Sequence, residues 1–489
     1  MAESVRQPTL WEAGIPILFL IPLLGINVFL FSSDSTYGPN QIALILSAAV
    51  AALVALRTGI RWETMQDGIV KSISSAMSAI LILLLIGSLA GTWMLSGIVP
   101  AMIYYGLQIL NPTIFLVAAV IICAVVAVAT GSSWSTVATV GIALLGIGKA
   151  LGLSEAVIGG AIISGSYFGD KMSPLSDTTN LAPAMAGTDL FTHIRYMTLT
   201  TVPSITITLI IFLVMGFTTV EATSATGIES VLTALDNAFT INGWLFIVPV
   251  VVIGMIVRKV PAIPALLAGA LLGGVFAIIF QPQVLQEISG GGTGIEVAYI
   301  AVLQAMFTDI SIVTDDKMVN DLLSTSGMAG MLNTVWLIIC AMVFGGVMES
   351  AGMLARITQA IVQFAHSTGS LIASTAFTSI FFNVTASDQY LAIVVPGRMY
   401  ADIYRKRGLK PENLSRTLED SGTVTSVLIP WNTCGATQAS VLGVATLAYA
   451  PFAFFCFISP VMTILYGYLN IKIARYSSEE VTEQTLENA

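Results

Sequence analysis

A run of acidic, hydroxyl-bearing and helix-breaking residues lies between Ser164 and Pro183, within an otherwise apolar region. Pro174 lacks a backbone donor and predicts a helix break that frees carbonyl oxygens as ligands. Hard cations such as Na⁺ take oxygen ligands, and a carboxylate supplies the countercharge. We therefore predict a Na⁺ site centred on Asp177 and neighbouring oxygens. The predicted ion-binding residues are Asp177, Asp170, Thr130, Ser132, Ser133, Ser173, Ser176, Thr178 and Asn180.

The two carboxylates of this run differ in their immediate neighbours. Asp170 adjoins Lys171, and the two charges could partly neutralise each other, whereas Asp177 adjoins no cation. Asp177 is therefore the preferred residue for binding a cation or a proton. A buried carboxylate that accepts a cation must release its proton, so the two ions compete. The alternative is that both aspartates cap helix ends at the membrane interface.

A second set of polar residues repeats this pattern later in the chain. At one constant separation, Ser96-Gly97 matches Ala351-Gly352, Thr130–Ser133 matches Thr385–Asp388, and Asp177-Thr178 matches Asn432-Thr433. This predicts an internal repeat in which the second break is neutral and the first, acidic break is the main cation site. The predicted second-half site consists of Asn383, Thr385, Ser387, Asp388, Asn432 and Thr433.

Two further charged residues are candidates for proton or anion contacts. Glu349 ends an apolar segment and could relay protons, although an exposed carboxylate at a helix end is the simpler interpretation. Arg398 lies on the second predicted hairpin and could contact Asp388, Asp402 or an anionic substrate. The alternative for Arg398 is a surface arginine that extends to the interface.

The composition indicates that the elements which position these residues are membrane helices. Of 489 residues, 56% are hydrophobic and only 10% are charged, against about 25% charged in soluble domains. A net charge of −9 disfavours nucleic-acid binding. Four cysteines without CxxC spacing and two histidines without an HExxH motif disfavour disulfides, zinc and hydrolase chemistry. No cofactor is expected apart from transported ions.

Apolar segments and the distribution of Lys and Arg predict an all-α polytopic membrane protein with about ten crossings, two re-entrant hairpins and two broken helices. Both termini are expected in the cytoplasm and the protein in the inner (plasma) membrane. An odd number of crossings in each half makes the second repeat inverted, as in transporters. The predicted divisions are a first repeat at 1–220 (hairpin near 113–150, broken helix near 155–190), an extracellular linker at 221–243, a second repeat at 244–476 (hairpin near 371–400, broken helix near 411–449) and a disordered tail at 477–489.

The motifs Gly131-Ser-Ser-Trp-Ser and Gly169-Asp-Lys-Met-Ser-Pro-Leu-Ser-Asp-Thr-Thr-Asn-Leu-Ala-Pro resemble the signature of the NhaC-type Na⁺/H⁺ antiporters. The resemblance covers most of the chain. It implies membership of the ion transporter superfamily, whose members have inverted repeats, two re-entrant hairpins and broken helices. It also implies a homodimer in which a transport domain moves against a scaffold.

These observations predict a secondary active transporter that exchanges Na⁺ for H⁺ across the cytoplasmic membrane by alternating access. Cation and proton would compete for a membrane-embedded aspartate. The alternative is a Na⁺- or H⁺-coupled exchanger or symporter of a small organic acid of the malate or lactate type, or of an amino acid. An arginine facing the site would favour that alternative. The expected partners are Na⁺, H⁺ and the lipid bilayer.

Overall fold

The computed structural model describes residues 6–219, 225–292, 294–314 and 317–476, most of which are helical. In the first half the α-helices span Leu10–Phe31, Pro39–Arg57, Trp62–Leu95, Ile98–Ile109, Pro112–Thr130, Ser133–Thr136, Ile142–Ala150, Glu155–Met172, Asp177–Ala186 and Leu190–Thr219. In the second half they span Ala225–Ala238, Ile247–Val257, Ala262–Phe280, Pro282–Ile288, Ile295–Phe307, Lys317–Leu322, Gly327–Gly330, Leu332–Ser350, Met353–Val362, Thr368–Thr385, Leu391–Lys406, Glu412–Leu418, Thr433–Leu442, Thr446–Tyr449 and Phe454–Tyr468.

Shorter elements join these helices. The 3₁₀ turns are Ser32–Thr36, Gly243–Phe246, Ser426–Leu428 and Ala450–Phe452, and the π-helical turns are Val137–Gly141 and Glu419–Thr423. One antiparallel pair of two-residue strands joins Ile310–Ser311 to Ser324–Thr325. The fold is therefore built almost wholly from packed helices.

Seven helices in the described part of the chain are long and apolar enough to cross a membrane. Two bent helix pairs, at 89° and 56°, raise this number to nine if each pair is one span. The chain is thus a multi-pass membrane protein, while ten crossings and an inverted repeat stay predictions. The seven helices are Leu10–Phe31, Pro39–Arg57, Trp62–Leu95, Pro112–Thr130, Leu190–Thr218, Ala262–Phe280 and Gly327–Ser350.

The chain turns at Gly131 and Ser132 in the segment that we predict to be the first hairpin, residues 112–150. Its first helix ends at Thr130, and Gly131 adopts the left-handed conformation (φ +69°) that favours glycine. Ser132 then begins the returning arm, because its Oγ accepts a hydrogen bond from the backbone N–H of Ser135 at 3.1 Å. A Cβ at Gly131 would lie 2.6 Å from Leu175, so this tip packs closely on the neighbouring helix break.

The first broken helix consists of Glu155–Met172 and Asp177–Ala186, separated by residues 173–176. Side chains of the second segment satisfy the carbonyls freed by the break. Thr179 Oγ1 donates to the carbonyls of Asp170 (3.2 Å) and Lys171 (3.0 Å). Asn180 Nδ2 donates to the carbonyls of Pro174 and Ser176 at 3.0 and 2.7 Å. The break is therefore an ordered part of the fold.

The second hairpin, residues 368–406, turns at 386–390. Ser387 takes a positive φ of 59° at this tip, and Asp388 Oδ1 accepts a hydrogen bond from Leu391 N at 2.9 Å. The tip meets its own helix break, since Thr433 N donates to the Ser387 carbonyl at 3.0 Å. In both halves a hairpin tip therefore contacts a break.

The second broken helix runs from Glu412 to Leu442 and differs from the first in its local geometry. It passes through the π-helical turn at 419–423 and a 3₁₀ turn before it resumes at Thr433. Asn432 caps the resumed helix, because its Oδ1 accepts a hydrogen bond from Cys434 N at 3.0 Å.

Two predicted connecting segments lie partly outside the structural description. The predicted linker at 221–243 contains the helix Ala225–Ala238, and residues 220–224 are outside the described residues. The predicted tail at 477–489 is also outside them.

Glycines allow the first hairpin and the first broken helix to pack closely. A Cβ at Gly165 would lie 2.2 Å from the carbonyl oxygen of Val120, and a Cβ at Gly169 would lie 2.3 Å from that of Ala124. By contrast, a Cβ at Gly254 would meet no atom of the described part of the chain within 4 Å. The contact between these two elements therefore depends on the absence of side chains at Gly165 and Gly169.

We predict that Gly165→Ala destabilises the protein by about 1–3 kcal/mol, because the methyl group overpacks a helix contact. Gly254→Ala is the matched control, and it should be neutral or slightly stabilising because alanine has the higher helix propensity. Thermal denaturation of the purified protein in detergent compares the two variants. Equal melting temperatures would show that the close contact is not required.

Candidate cation-binding site

A cavity of about 630 Å³ with a mixed polar and apolar lining lies where the hairpin tips and helix breaks converge. Its walls come from both tips, both breaks, the helix Trp62–Leu95 and residues 256–263. The aspartates among its lining residues are Asp170, Asp177 and Asp388. Elements far apart in sequence therefore bring three carboxylates to one cavity.

Asp170 is hydrogen-bonded to the tip of the first hairpin. Its side chain is buried and lines the cavity. Oδ2 accepts hydrogen bonds from Ser133 N at 3.1 Å and Ser133 Oγ at 2.6 Å. In the described part of the chain Asp170 forms no ion pair. A buried carboxylate with this environment is suited to binding a cation or a proton.

Lys171 does not neutralise Asp170, so that part of the sequence interpretation is wrong. Its buried ammonium group instead forms an ion pair with the carboxylate of Asp420, which lies in the π-helical turn of the second broken helix. The physical reason is helix geometry, because consecutive side chains project about 100° apart and so face different neighbours. The argument that ranked Asp177 above Asp170 therefore loses its basis.

Asp177 lines the same cavity in a more open environment. It is the first residue of the helix Asp177–Ala186, and its side chain is exposed. Asp177 and Asp170 thus share a cavity but differ in burial. The choice of Asp177 as the main Na⁺ ligand stays a prediction.

The remaining predicted residues of the first site divide into two groups. Ser133 and Ser173 hold the site together, because Ser133 binds Asp170 and Ser173 Oγ donates to the Val128 carbonyl at 2.8 Å. The others supply oxygen atoms or amide groups to the cavity wall. The predicted residues that line the cavity beside the two aspartates are Thr130, Ser132, Ser176, Thr178 and Asn180.

The second-half residues also divide into lining and bracing groups. Asp388 and Thr433 line the cavity. Asn432 Nδ2 donates to the Asn383 carbonyl at 3.0 Å, and Asn383 Nδ2 donates to the Gly422 carbonyl at 2.7 Å. These bonds brace the second hairpin against the second broken helix. Thr385 Oγ1 donates to Phe381, and Ser387 supplies a carbonyl to Thr433.

Glu349 and Arg398 do not reach the cavity. Both side chains are exposed, and neither residue belongs to the cavity wall. The cationic residue that lines the cavity is Lys259, in the segment that follows the helix Ile247–Val257. Sequence reasoning used Arg258 and Lys259 only to orient the membrane spans, and no local motif places Lys259 at the cavity.

Sequence reasoning missed further lining residues, some on another helix and some directly beside predicted residues. Ser75 and Ser78 project from the long helix Trp62–Leu95, while Gln389, Tyr390 and Cys434 flank predicted residues. Cys434 Sγ contacts Gln389 Oε1 at 2.9 Å, which links the second tip to the second break. The helical spacing of Ser75 and Ser78, three residues apart in an otherwise apolar run, is a weak signal that could have indicated the two serines. No group of three His, Cys, Asp or Glu residues suited to a transition metal occurs among the residues described.

The apolar helices define the chain as a multi-pass membrane protein, and its similarity to proteins named as antiporters indicates a transporter. The model of the Na⁺/H⁺ antiporter family matches residues 165–471. The chain belongs to this family, which is also the family of the sequence resemblance.

Similar proteins in this family carry different names. The chain is 40% identical to the Na⁺/H⁺ antiporter NhaC of Alkalihalophilus pseudofirmus, over 90% of this chain and 92% of that protein. It is 37% identical to the malate-2H⁺/Na⁺-lactate antiporter of Bacillus subtilis, over 95% of this chain and 96% of that protein. It is 33% identical to the arginine/ornithine antiporter ArcD of Halobacterium salinarum, over 100% of this chain and 97% of that protein. Family membership alone therefore leaves the cargo to be argued from the site.

We predict that Ser133→Ala lowers the stability of the protein by about 1–3 kcal/mol, because a buried carboxylate loses a hydroxyl donor. Ser135→Ala is the matched control on the same short helix, since the buried Ser135 Oγ has no hydrogen-bond partner among the described residues. Thermal unfolding in Na⁺-free detergent solution should separate the two variants. If Ser135→Ala were the more damaging change, the bond from Ser133 to Asp170 would not be the important one.

Proposed function

We propose that the protein exchanges Na⁺ for H⁺ across the membrane, with both ions binding at the cavity carboxylates. The observation that carries this proposal is the buried carboxylate of Asp170, which lines the cavity. Relatives of the chain that are named Na⁺/H⁺ antiporters support the same function.

Charge balance explains why the two ions would exchange. A carboxylate buried in a membrane protein is costly in its charged form unless a cation neutralises it. Either a proton or Na⁺ neutralises Asp170, but the two ions do not bind this carboxylate at the same time. Oxygen atoms of Thr130 and Ser132 on the adjoining tip complete a ligand set of the type that Na⁺ prefers. Asp177, at the exposed part of the cavity, would attract the incoming cation.

Alternating access follows from the position of the cavity between the tips and the breaks. The cavity wall includes Lys259, and the distribution of Lys and Arg predicts that Arg258 and Lys259 face the cytoplasm. We infer that the described conformation opens to the cytoplasm. In this arrangement both termini are cytoplasmic, the protein lies in the inner membrane, and inward proton flow drives Na⁺ out. Movement of a transport domain within a homodimer, as the family resemblance implies, would expose the site to the other side.

A second candidate function is the exchange of an organic acid or amino acid. The cavity volume of about 630 Å³ favours it, since one water molecule occupies about 30 Å³ in the liquid. Relatives named as malate/lactate and arginine/ornithine antiporters support the same possibility. Lys259, rather than Arg398, is the residue that would meet an anionic cargo.

Proteoliposomes containing only this protein distinguish the two functions. An internal pH dye is followed after a Na⁺ pulse, first without organic solute and then with malate, lactate or amino acids. We expect a Na⁺-dependent pH change without organic solute. A response that requires an organic solute would overturn Na⁺/H⁺ exchange in favour of the second candidate.

We predict that Asp170→Asn abolishes Na⁺-dependent proton movement in the same assay, because an amide neither releases a proton nor offers a charge. Asp177→Asn should mainly raise the Na⁺ concentration that gives half the maximal rate, since this exposed residue attracts the cation. Asp236→Asn, at an exposed position outside the cavity, is the control. Normal exchange by the Asp170→Asn variant would contradict this assignment and make Asp177 the preferred residue for binding Na⁺ and the proton.

A further inference from the structure

A buried ion pair joins the two broken helices behind the cation site. Lys171 belongs to the first broken helix and Asp420 to the second, and both side chains are fully buried. Ser459 Oγ lies 3.0 Å from Lys171 Nζ and donates to Asp420 Oδ1 at 3.0 Å. Thr200 Oγ1 donates to Asp420 Oδ2 at 2.8 Å. The pair and its two hydroxyl partners therefore connect four helices.

Stability alone is a weak reason for such a pair. Removing two charges from water is costly, and apolar residues of similar volume often stabilise a protein equally well or better. The better-supported use of a buried polar network is to specify one arrangement of its surroundings. The question is therefore which arrangement the pair between Lys171 and Asp420 specifies.

The arrangement is the direction in which Asp170 projects. Asp170 and Lys171 are consecutive residues in the last turn of the helix that ends at Met172. Because consecutive side chains project about 100° apart, holding Lys171 against Asp420 fixes the rotation of this helix end. That rotation presents Asp170 to Ser133 and the cavity. Thr179 holds the carbonyls of both residues and so fixes the same turn.

We propose that Lys171 and Asp420 are positioning residues for the cation site, and that their ion pair sets the affinity of the protein for Na⁺ by orienting Asp170. This inference rests on the proposed function, because it assumes that Asp170 binds Na⁺. Lys171 and Asp420 themselves are absent from the cavity wall. They therefore act through Asp170 rather than as ligands.

The test is a double-mutant comparison. Lys171→Met or Asp420→Asn alone leaves one buried charge without its partner, which strongly destabilises a protein. The double variant Lys171→Met/Asp420→Asn removes both charges, and the amide at 420 retains hydrogen-bonding capacity towards Ser459 and Thr200. We expect the double variant to be more stable than either single variant.

Na⁺ affinity is the readout that a purely structural role would not change. In the double variant we expect the half-saturating Na⁺ concentration to rise about 10- to 100-fold, as when the partner of a metal ligand is removed. The maximal rate of exchange should change little. The ion pair between Lys149 and Glu155 lies at the other end of the same helix and is partly exposed, with N···O at 2.6 Å. Lys149→Met/Glu155→Gln is the matched control and should keep the original affinity.

A second measurement reports Na⁺ binding at the site independently of transport. The Na⁺ concentration that gives half the maximal thermal stabilisation of the purified protein should rise in parallel for the double variant. A stable double variant with unchanged Na⁺ dependence in both measurements overturns the proposal. If Na⁺ stabilises the unmodified protein but the protein moves no protons, the proposed exchange is contradicted. The positioning role is then still tested by the Na⁺ affinity of the double variant in the thermal measurement.

Ser459→Ala keeps the proposal falsifiable if the charge variants fail to fold. It removes the hydroxyl that contacts both members of the pair but leaves both charges in place. We expect a smaller rise in the half-saturating Na⁺ concentration than in the double variant. An unchanged value for a folded Ser459→Ala protein would count against positioning by this network.

Discussion

Backbone groups that are freed where helices break inside a membrane protein must find partners within the protein. This constraint shapes the centre of the structure. Thr179 and Asn180 satisfy the carbonyls of the first break, and Asn432 caps the helix after the second. Each hairpin tip packs on the break of its own half, as Gly131 and Ser387 show. The cavity exists because four interrupted elements meet there, and their polar groups line it.

The wall of this cavity carries more acidic than basic side chains, which favours cations over anions. Three aspartates line it, and two of them, Asp170 and Asp388, are buried without an ion-pair partner among the described residues. The nearest lysine in sequence is engaged by Asp420 and supplies no charge to the site. A transported cation or a proton is then the means of neutralising Asp170. Under the proposed function, the same geometry that isolates Asp170 from Lys171 would link ion binding to proton release.

The sequence predicts the backbone breaks better than it predicts the charge partners. Gly131, Pro174 and the polar residues near 386–390 and 432 mark the tips and breaks where the structure has them. Their conformations depend on local chemistry, so local patterns identify them. The partner of Lys171 lies in the second half of the chain, and the burial of Asp170 depends on packing between distant helices. Such long-range contacts have no local signal, which is why Lys259 was missed and why the sequence left open whether Arg398 lies at the site or at the surface.

The central claim is that Na⁺ and a proton compete for one buried carboxylate. Its most direct test is proton release when Na⁺ is added to the purified protein in weakly buffered detergent solution. We predict saturable release of protons by the unmodified protein and none by Asp170→Asn. Binding of Na⁺, seen as thermal stabilisation, without any proton release at any pH tested would contradict the account.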